Sequence, residues 1–333
     1  MASTESPTAQ PPEERVLSEI FNSSTADLTL RTHDAVDFRV HRYVLVMAST
    51  VFEGMCSLPQ PTAAAGEKQE LPVVQMGEDS HTMTRLLMLL YPDKHPTHID
   101  VTMLPDVLRA AEKYDMHGVV AQLGNFLRRA DYVQKHPLEV FALACQYNFG
   151  DDLIELAAKA SLRQVSPLKT LGSLPPAARG LSAGAYHGLL VYRQKCTNIL
   201  LPMLVNWPHP DVIVGKPVWH TCICRLKTNN GKYSSPLPSW YADHVERTMA
   251  AFSQVVDAST LRSPNLIATT TYQFSPLAAG TAAAAPGVAK GRGKPAASCN
   301  CAESAPYELV KFHAVVADEV ERQLDRMKFQ LLG

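Results

Sequence analysis

The chain has 333 residues, enough for two or three compact units at roughly 100–200 residues each. Hydrophobic residues make up 46% and charged residues 19%, the balance of a chain that buries a core and not of one that stays unfolded. A formal net charge of -1 excludes a global field that draws in nucleic acid or an anionic membrane surface.

The opening segment, residues 1–15 (MASTESPTAQPPEER), is polar and Pro-rich. It has too little apolar content to offset the entropy of ordering, so it is expected to be a disordered tail, and it lacks the apolar core of a secretory signal. Val16, Leu17, Ile20 and Phe21 share a helical face and predict a short helix ending near Asn22. That face could serve as a swapped dimer contact or pack against its own chain.

Asp27 to Arg31 and Val36 to Val40 alternate apolar and polar residues at period 2, with His33-Asp34 between them. Together they predict a β-hairpin with Leu28, Leu30, Val36, Phe38 and Val40 on one buried face. The period then changes to 3.6, so that Tyr43/Val44, Met47 and Val51/Phe52 can share a face across one or two short helices. Leu71 to Met76 is a third strand candidate, and Pro72 places it at a strand start or a sheet edge.

A helix is predicted from Asp79 to Tyr91 with Met83, Leu86, Leu87 and Leu90 inward, stopped by Pro92. Further helices follow at about 103–114, with Leu104, Val107, Leu108 and Ala111 inward, and 116–129, with Val119, Val120, Leu123 and Leu127 inward. Another pair is expected at Pro137–Tyr147 and Asp151–Leu162. The stretch 171–184, LGSLPPAARGLSAG, reads as a joint.

Beyond the joint, Ala185 to Leu204 predicts a helix, Val218 to Leu226 a strand, and Ser239 the cap of a helix that runs through Trp240, Val245, Met249, Phe252 and Val256. Residues 275–298 are Ala/Gly/Pro-rich and predict a flexible insert. The most apolar stretch, Gly188 to Val205, is interrupted by Arg193-Gln194-Lys195, so it lacks the ~20 consecutive apolar residues of a spanning helix. The last helix carries Ser304 as a cap, Pro306 in its first turn and Glu308 near the positive end of its dipole. Val310, His313, Ala317, Val320, Leu324, Met327 and Leu331 recur at spacings of three and four; with His313 breaking the seam, packing on the body of the protein is favoured over a coiled coil.

These elements and their residues carry a specific resemblance. Asp27-Leu28-Thr29-Leu30, then Phe38-Arg39-Val40-His41-Arg42-Tyr43-Val44-Leu45, then Ala48-Ser49-Thr50-Val51-Phe52 resemble the BTB/POZ signature D-φ-x-φ, F-x-x-H-(R/K)-x-x-L, S-x-x-F. Leu89-Leu90-Tyr91-Pro92 is similar to the family's usual helix end. Leu108-Arg109-Ala110-Ala111-Glu112-Lys113-Tyr114-Asp115-Met116 is similar to its L-x-A-A-x-K-Y-x-φ segment. The resemblance covers residues 23–130 and implies an α+β fold, a small sheet with a hairpin capped by helices, ahead of a mostly helical C-terminal region at 185–333. Residues 131–170 resemble the start of the helical extension, of BACK type, that follows many such domains. The remainder, including Trp219-His220-Thr221-Cys222-Ile223-Cys224, resembles the large fungal set of BTB proteins. No kelch, MATH or ankyrin-like repeat is visible.

Of the signature positions Asp27, Phe38, His41, Leu45, Ser49, Phe52, Ala111 and Tyr114, His41 stands at the first helix start, where a ring nitrogen can bond backbone and fix the strand-to-helix turn. Structural roles are expected for it and for Phe52 and Tyr114. The resemblance implies a protein-interaction adaptor that self-associates as a homodimer. It also implies a cullin, and through it a ubiquitin ligase, as a candidate partner. The apolar-x-Glu element of cullin-binding members is represented here only by Leu58-Pro59-Gln60, which lacks the glutamate. The alternative is a transcriptional or chromatin co-regulator acting through protein partners, since the chain has neither C₂H₂ spacing nor a basic helix.

The seven cysteines are uneven: Cys56, Cys145 and Cys196 stand alone, and Cys222/Cys224 and Cys299/Cys301 are paired. For an intracellular chain, in cytoplasm or nucleus, with reduced thiols, paired cysteines suggest metal before disulfide. Residues two apart on a strand point to one side, so Cys222 and Cys224 could reach one zinc ion with Cys299 and Cys301, and His220 is a spare ligand. The spacing is C-x-C and not the commoner C-x-x-C, so idle thiols are the competing reading. Lys290-Gly291-Arg292-Gly293-Lys294 lacks the first glycine and the Ser/Thr of a phosphate loop, and no aromatic residues interleave with its cations for nucleic-acid stacking. No nucleophile elbow or acid/base constellation is present, so the expectation is not an enzyme.

Overall fold

The computed structural model describes residues 16–58, 71–165, 176–206, 215, 217–221, 238–272 and 301–330. The chain forms two compact units that part between Gly150 and Asp151, with the 176–180 turn belonging to the first.

The first unit is built on a four-stranded sheet. β1 (Val16–Asn22), β2 (Leu28–Arg31), β3 (Val36–Val40) and β4 (Val73–Gln75) lie in the order β1-β3-β2-β4. β2 and β3 are the expected antiparallel hairpin, pairing Leu28 with Val40 and Leu30 with Phe38. The pleat sends those four side chains into the core, whereas Val36 at the turn end is only half-buried. Ala35 takes a left-handed conformation (φ 61) in the connecting turn, where Thr32 N–H donates to the Val36 carbonyl at 3.0 Å. β4 pairs parallel to β2, and Pro72 places its carbonyl 2.9 Å from Thr29 N while offering no N–H of its own, as an edge position allows.

Residues 16–22 correct the sequence reading, because they form a strand and not a helix. β1 runs parallel to β3 with Val16 against Val36 and Leu17 against Asp37, and the register then shifts before Asn22 meets Arg39. Within the irregularity Ser18 Oγ accepts the Phe21 N–H at 3.2 Å, and Ser18 and Phe21 are both buried. A bulged strand thus buries residues three apart, the spacing that otherwise marks a helix.

The helices of this unit are α1 (Arg42–Ala48), α2 (Thr50–Ser57), α3 (Ser80–Leu90), α4 (Leu104–Lys113), α5 (His117–Leu127), α6 (Ala130–Lys135) and α7 (Pro137–Gln146). Asp79 caps α3 by accepting the Thr82 N–H at 2.7 Å, and Met83, Leu86, Leu87 and Leu89 are buried, with Leu90 at the margin. Leu104, Val107, Leu108 and Ala111 of α4 and Val119, Leu123 and Leu127 of α5 are buried as expected, while Val120 is half-buried. A Cβ on Gly124 would stand 2.8 Å from the Phe149 ring, so that ring packs only against a glycine. α6, which the sequence reading did not separate, is tied down by Tyr132, whose hydroxyl accepts the Ile99 N–H at 2.9 Å and donates to the Ile99 carbonyl at 2.6 Å.

The second unit is helical: α8 (Asp151–Ser161), α9 (Ala183–Asn198), α10 (Leu200–Val205), α11 (Val218–Thr221), α12 (Ser239–Gln254), α13 (Ala258–Leu261), α14 (Pro264–Tyr272) and α15 (Cys301–Arg326). The span 131–170 is therefore divided, α7 in the first unit and α8 in the second. The single helix expected over 185–204 breaks between Asn198 and Leu200, because Pro202 cannot bond back to the carbonyl four residues earlier and sits instead in the first turn of α10. Val218–Thr221 is a helical turn where a strand was expected; its Trp219 is fully buried, stacked on Tyr241 at 4.7 Å and edge-on to Phe312 at 5.2 Å. Period-2 alternation in a short segment yields to that tertiary packing. Pro238, not Ser239, is the N-cap of α12.

α15 starts at Cys301, so Ser304 and Pro306 lie inside it and not at its cap. Ala305, Leu309, Phe312, His313, Val316, Ala317 and Val320 form its buried face, against α10, α11, α13 and α14, whereas Val310 is exposed. The buried face keeps His313, Ala317 and Val320 of the seam read in the sequence, adds Leu309, Phe312 and Val316 beside them, and packs on the neighbouring helices. The tail and the insert, residues 1–15 and 275–298, lie outside the described residues, as does Leu331. No helix among the described residues is long and apolar enough to cross a membrane.

Candidate functional site

Three residues, Asp27, Tyr91 and Thr25, hold the turn from β3 into α1. Asp27 Oδ1 accepts the Arg42 N–H at 2.6 Å, satisfying a donor at the start of α1. The His41 N–H donates to the Tyr91 hydroxyl at 2.9 Å, His41 Nδ1 lies 3.2 Å from that hydroxyl, and His41 Nε2 lies 2.9 Å from Thr25 Oγ1. The imidazole thus ties β3, the end of α3 and the segment before β2 together through two hydroxyls. The sequence reading expected the ring to bond backbone; its partners are instead the side chains of Tyr91 and Thr25. Tyr91, to which it binds, is held neutral, burial pushing its pKa up.

The break between α1 and α2 is closed from the far side of the unit. Ser49 Oγ accepts the Phe52 N–H at 3.0 Å as the N-cap of α2 and donates to the Tyr114 carbonyl. The Phe52 and Tyr114 rings lie 5.0 Å apart, and Tyr114 donates to Glu78 Oε2 while Lys113 Nζ reaches Glu78 Oε1 at 2.7 Å. Burial, then the Glu78 hydrogen bond, pushes the Tyr114 phenol up to about 12. Phe38, Leu45, Phe52 and Ala111 are all buried in this core.

These tethers join the signature positions Asp27, Phe38, His41, Leu45, Ser49, Phe52, Ala111 and Tyr114 into one sheet-and-helix body, and the BTB/POZ family model matches residues 17–131. Residues 17–131 are a BTB/POZ domain. Such domains are protein-interaction modules and are not typically catalytic, so the surface of this one is the candidate site. No curated protein gives a significant match to the chain.

The BTB/POZ domain exposes apolar side chains in two places. On β1, Val16, Leu17 and Ile20 are 57%, 40% and 44% exposed. Phe21, grouped with them in the sequence reading as a dimer contact, is instead 2% exposed and packs against Phe38 and Tyr91 at 6.1 and 5.4 Å. On α1, Tyr43 and Met47 are 72% and 70% exposed, so they do not share a face with the buried Phe52 as the sequence reading had it. The extended residue Ser49 breaks the helical register there, and Leu45 and Phe52 take the core positions.

The outer face of the sheet is concave. A cleft of about 470 Å³ is lined by residues that include Val16, Leu17, Arg31, Asp37, Arg39 and Val73. Arg31 and Asp37, partners across the hairpin and both in its lining, form a bidentate pair at 2.6 and 2.8 Å.

Cys222, Cys224 and Cys299 lie outside the described residues, and so do the side chains of Cys301 and His220. Among the described residues no group of three or more His, Cys, Asp or Glu side chains could hold a metal ion. The thiols of Cys145 and Cys196 are pushed up to about 11 by burial, so neither is an activated nucleophile.

Proposed function

We propose that this protein is an interaction adaptor that self-associates through its BTB/POZ domain, with β1 as the contact strand. The observation that carries the reading is the combination of an edge position and the apolar exposure of Val16, Leu17 and Ile20 on that strand. An edge strand offers a row of backbone donors and acceptors to another chain, and apolar side chains beside them add burial on pairing. The opposite edge, β4, is three residues long and preceded by Pro72, which makes it a poor template. Pairing of β1 with its copy is self-complementary, as a two-fold dimer requires.

Light scattering on the full chain tests this. The wild type should run at twice the chain mass, and Leu17→Lys with Ile20→Lys should bring it to one. A wild-type mass equal to that of one chain overturns the reading.

The finer partner assignment is a cullin. Tyr43 and Met47 on α1, and Leu58 at the end of α2, supply exposed apolar contact of the kind a partner covers, although Gln60 stands where the binding glutamate is expected. Titration with a purified cullin amino-terminal domain decides it: saturable binding weakened by Met47→Glu supports a ligase adaptor. No binding overturns the cullin assignment and leaves the co-regulator as the reading.

A further inference from the structure

His244 on α12 and His313 on α15 meet inside the second unit with their Nε2 atoms 2.8 Å apart and both side chains closed off from solvent. Their proton positions follow from their neighbours. His313 Nδ1 lies 2.9 Å from the Leu261 carbonyl oxygen, which only accepts, so Nδ1 carries the hydrogen. A neutral His313 then presents a lone pair at Nε2, and His244 Nε2–H donates to it. Thr248 steadies His244 from its own helix, donating to the His244 carbonyl at 2.8 Å with its oxygen 3.4 Å from His244 Nε2. One hydrogen-bonded chain thus runs from α12 through two rings to the last residue of α13.

We propose that this pair is a proton-operated latch: with both rings neutral it fastens α15 to α12 and α13, and proton uptake releases it. A proton on His313 converts its Nε2 into a donor and sets two N–H groups head to head. A proton on His244 leaves an imidazolium fully shut off from water, the side chain being 0% exposed. Opening the latch exposes the apolar face of α15, including Phe312, Val316 and Val320.

Among the described residues, the following charged groups of the surrounding helices are of like sign or bonded elsewhere. Arg247, one turn along α12, carries the same sign. Arg262, just past Leu261, is held by Asp318 and Glu321 of α15. Glu308 accepts the Val218 N–H of α11 at 2.7 Å, and the Lys311 ammonium lies over the Tyr307 ring at 4.3 Å. Asp257, the cap of α13, is paired with Arg163. Burial, then His313 and then Arg247, holds His244 down at about 3, and burial also lowers His313.

A histidine lowered on folding contributes stability that is complete above its unfolded value of about 6.5 and is lost as pH falls below it. Opening should approach a tenfold rise per pH unit for each ring that takes up a proton, or about sixteenfold for one ring between pH 6.5 and 5. This window lies above the carboxylate range.

Hydrogen exchange of the full chain from pH 7.5 to 5, corrected for intrinsic rates, reads it directly. Protection of α12, α13 and α15 should fall across that window while α4 in the first unit holds, and His244→Gln/His313→Gln should flatten the profile. An unchanged slope in that variant, or a flat wild type, overturns the proposal. Should the variant not fold, ¹⁵N imidazole spectra of the wild type at pH 6 decide: the pair should show a neutral Nε2–H ring and a neutral Nδ1–H ring, and imidazolium signals from it overturn the latch.

Discussion

The hydroxyl of Ser49 joins the break between α1 and α2 to the Tyr114 carbonyl at the end of α4, 65 residues further along the chain. One side-chain oxygen serves two buried backbone groups, the second being the Phe52 N–H. Ser49→Ala should therefore lower the stability of the BTB/POZ domain by about 2–4 kcal/mol, combining a lost cap with an orphaned buried carbonyl. Urea unfolding of the variant checks this, with Thr50→Ala as the comparison, since Thr50 bonds Asp115 in an exposed position and should cost little.

Phe21 and Leu17 sit four residues apart on one strand and should respond oppositely. Phe21→Ala removes a ring packed on Phe38 and Tyr91 and should cost about 3–5 kcal/mol. Leu17→Ser should stay within about 0.5 kcal/mol for the isolated chain and act on oligomer mass instead. Thermal melts beside light scattering separate the two effects; equal melts for both variants would remove the assignment of Phe21 to the core.

Arg193 holds the second unit at two helix ends. From α9 its guanidinium donates to the Ser161 carbonyl at 3.1 Å, to the Gln164 carbonyl at 2.9 Å and to the Gln254 carbonyl, the termini of α8 and α12. A cation there meets the negative ends of both helices. Arg193→Met keeps the stem but strands those carbonyls and should destabilise this unit by about 3 kcal/mol. Limited proteolysis should then cut in residues 151–330 while the BTB/POZ domain persists.

The cysteine pairs are tested by metal content. α11 ends at Thr221, one residue before Cys222, and packs against α15, whose first residue is Cys301, so each pair adjoins one of two packed helices. A structural zinc site predicts about one equivalent of zinc per chain in protein purified without chelator. Cys222→Ser/Cys301→Ser should release it and loosen α15. Metal-free protein with an unchanged melt on substitution leaves these residues as thiols.

The hairpin and α3 to α5 were legible because their apolar periodicity is local and long enough to be unambiguous. Leu28, Leu30, Phe38 and Val40 alternate, and Leu104, Val107, Leu108 and Ala111 recur on one helical face. The signature residues were legible too, since each makes a bond or a contact that few other side chains could make in its place: Asp27 to the Arg42 N–H, Ser49 to the Phe52 N–H. The failures fall where a short segment carries a pattern that two structures share. β1 buries Ser18 and Phe21 through a bulge, and Val218–Thr221 is shaped by what surrounds Trp219.

The sequence by itself determined that the chain opens with a BTB/POZ domain and that a helical region follows, because backbone propensity and side-chain period act over a few residues at a time. Only the tertiary structure decided which apolar residues stay outside. Phe21 and Ile20 are neighbours in sequence, yet one fills a space beside Phe38 and the other has no such space to fill. It also decided that two histidines 69 residues apart share one hydrogen bond. Neither carries a local mark, because a buried imidazole is defined by the partner that long-range packing brings to it.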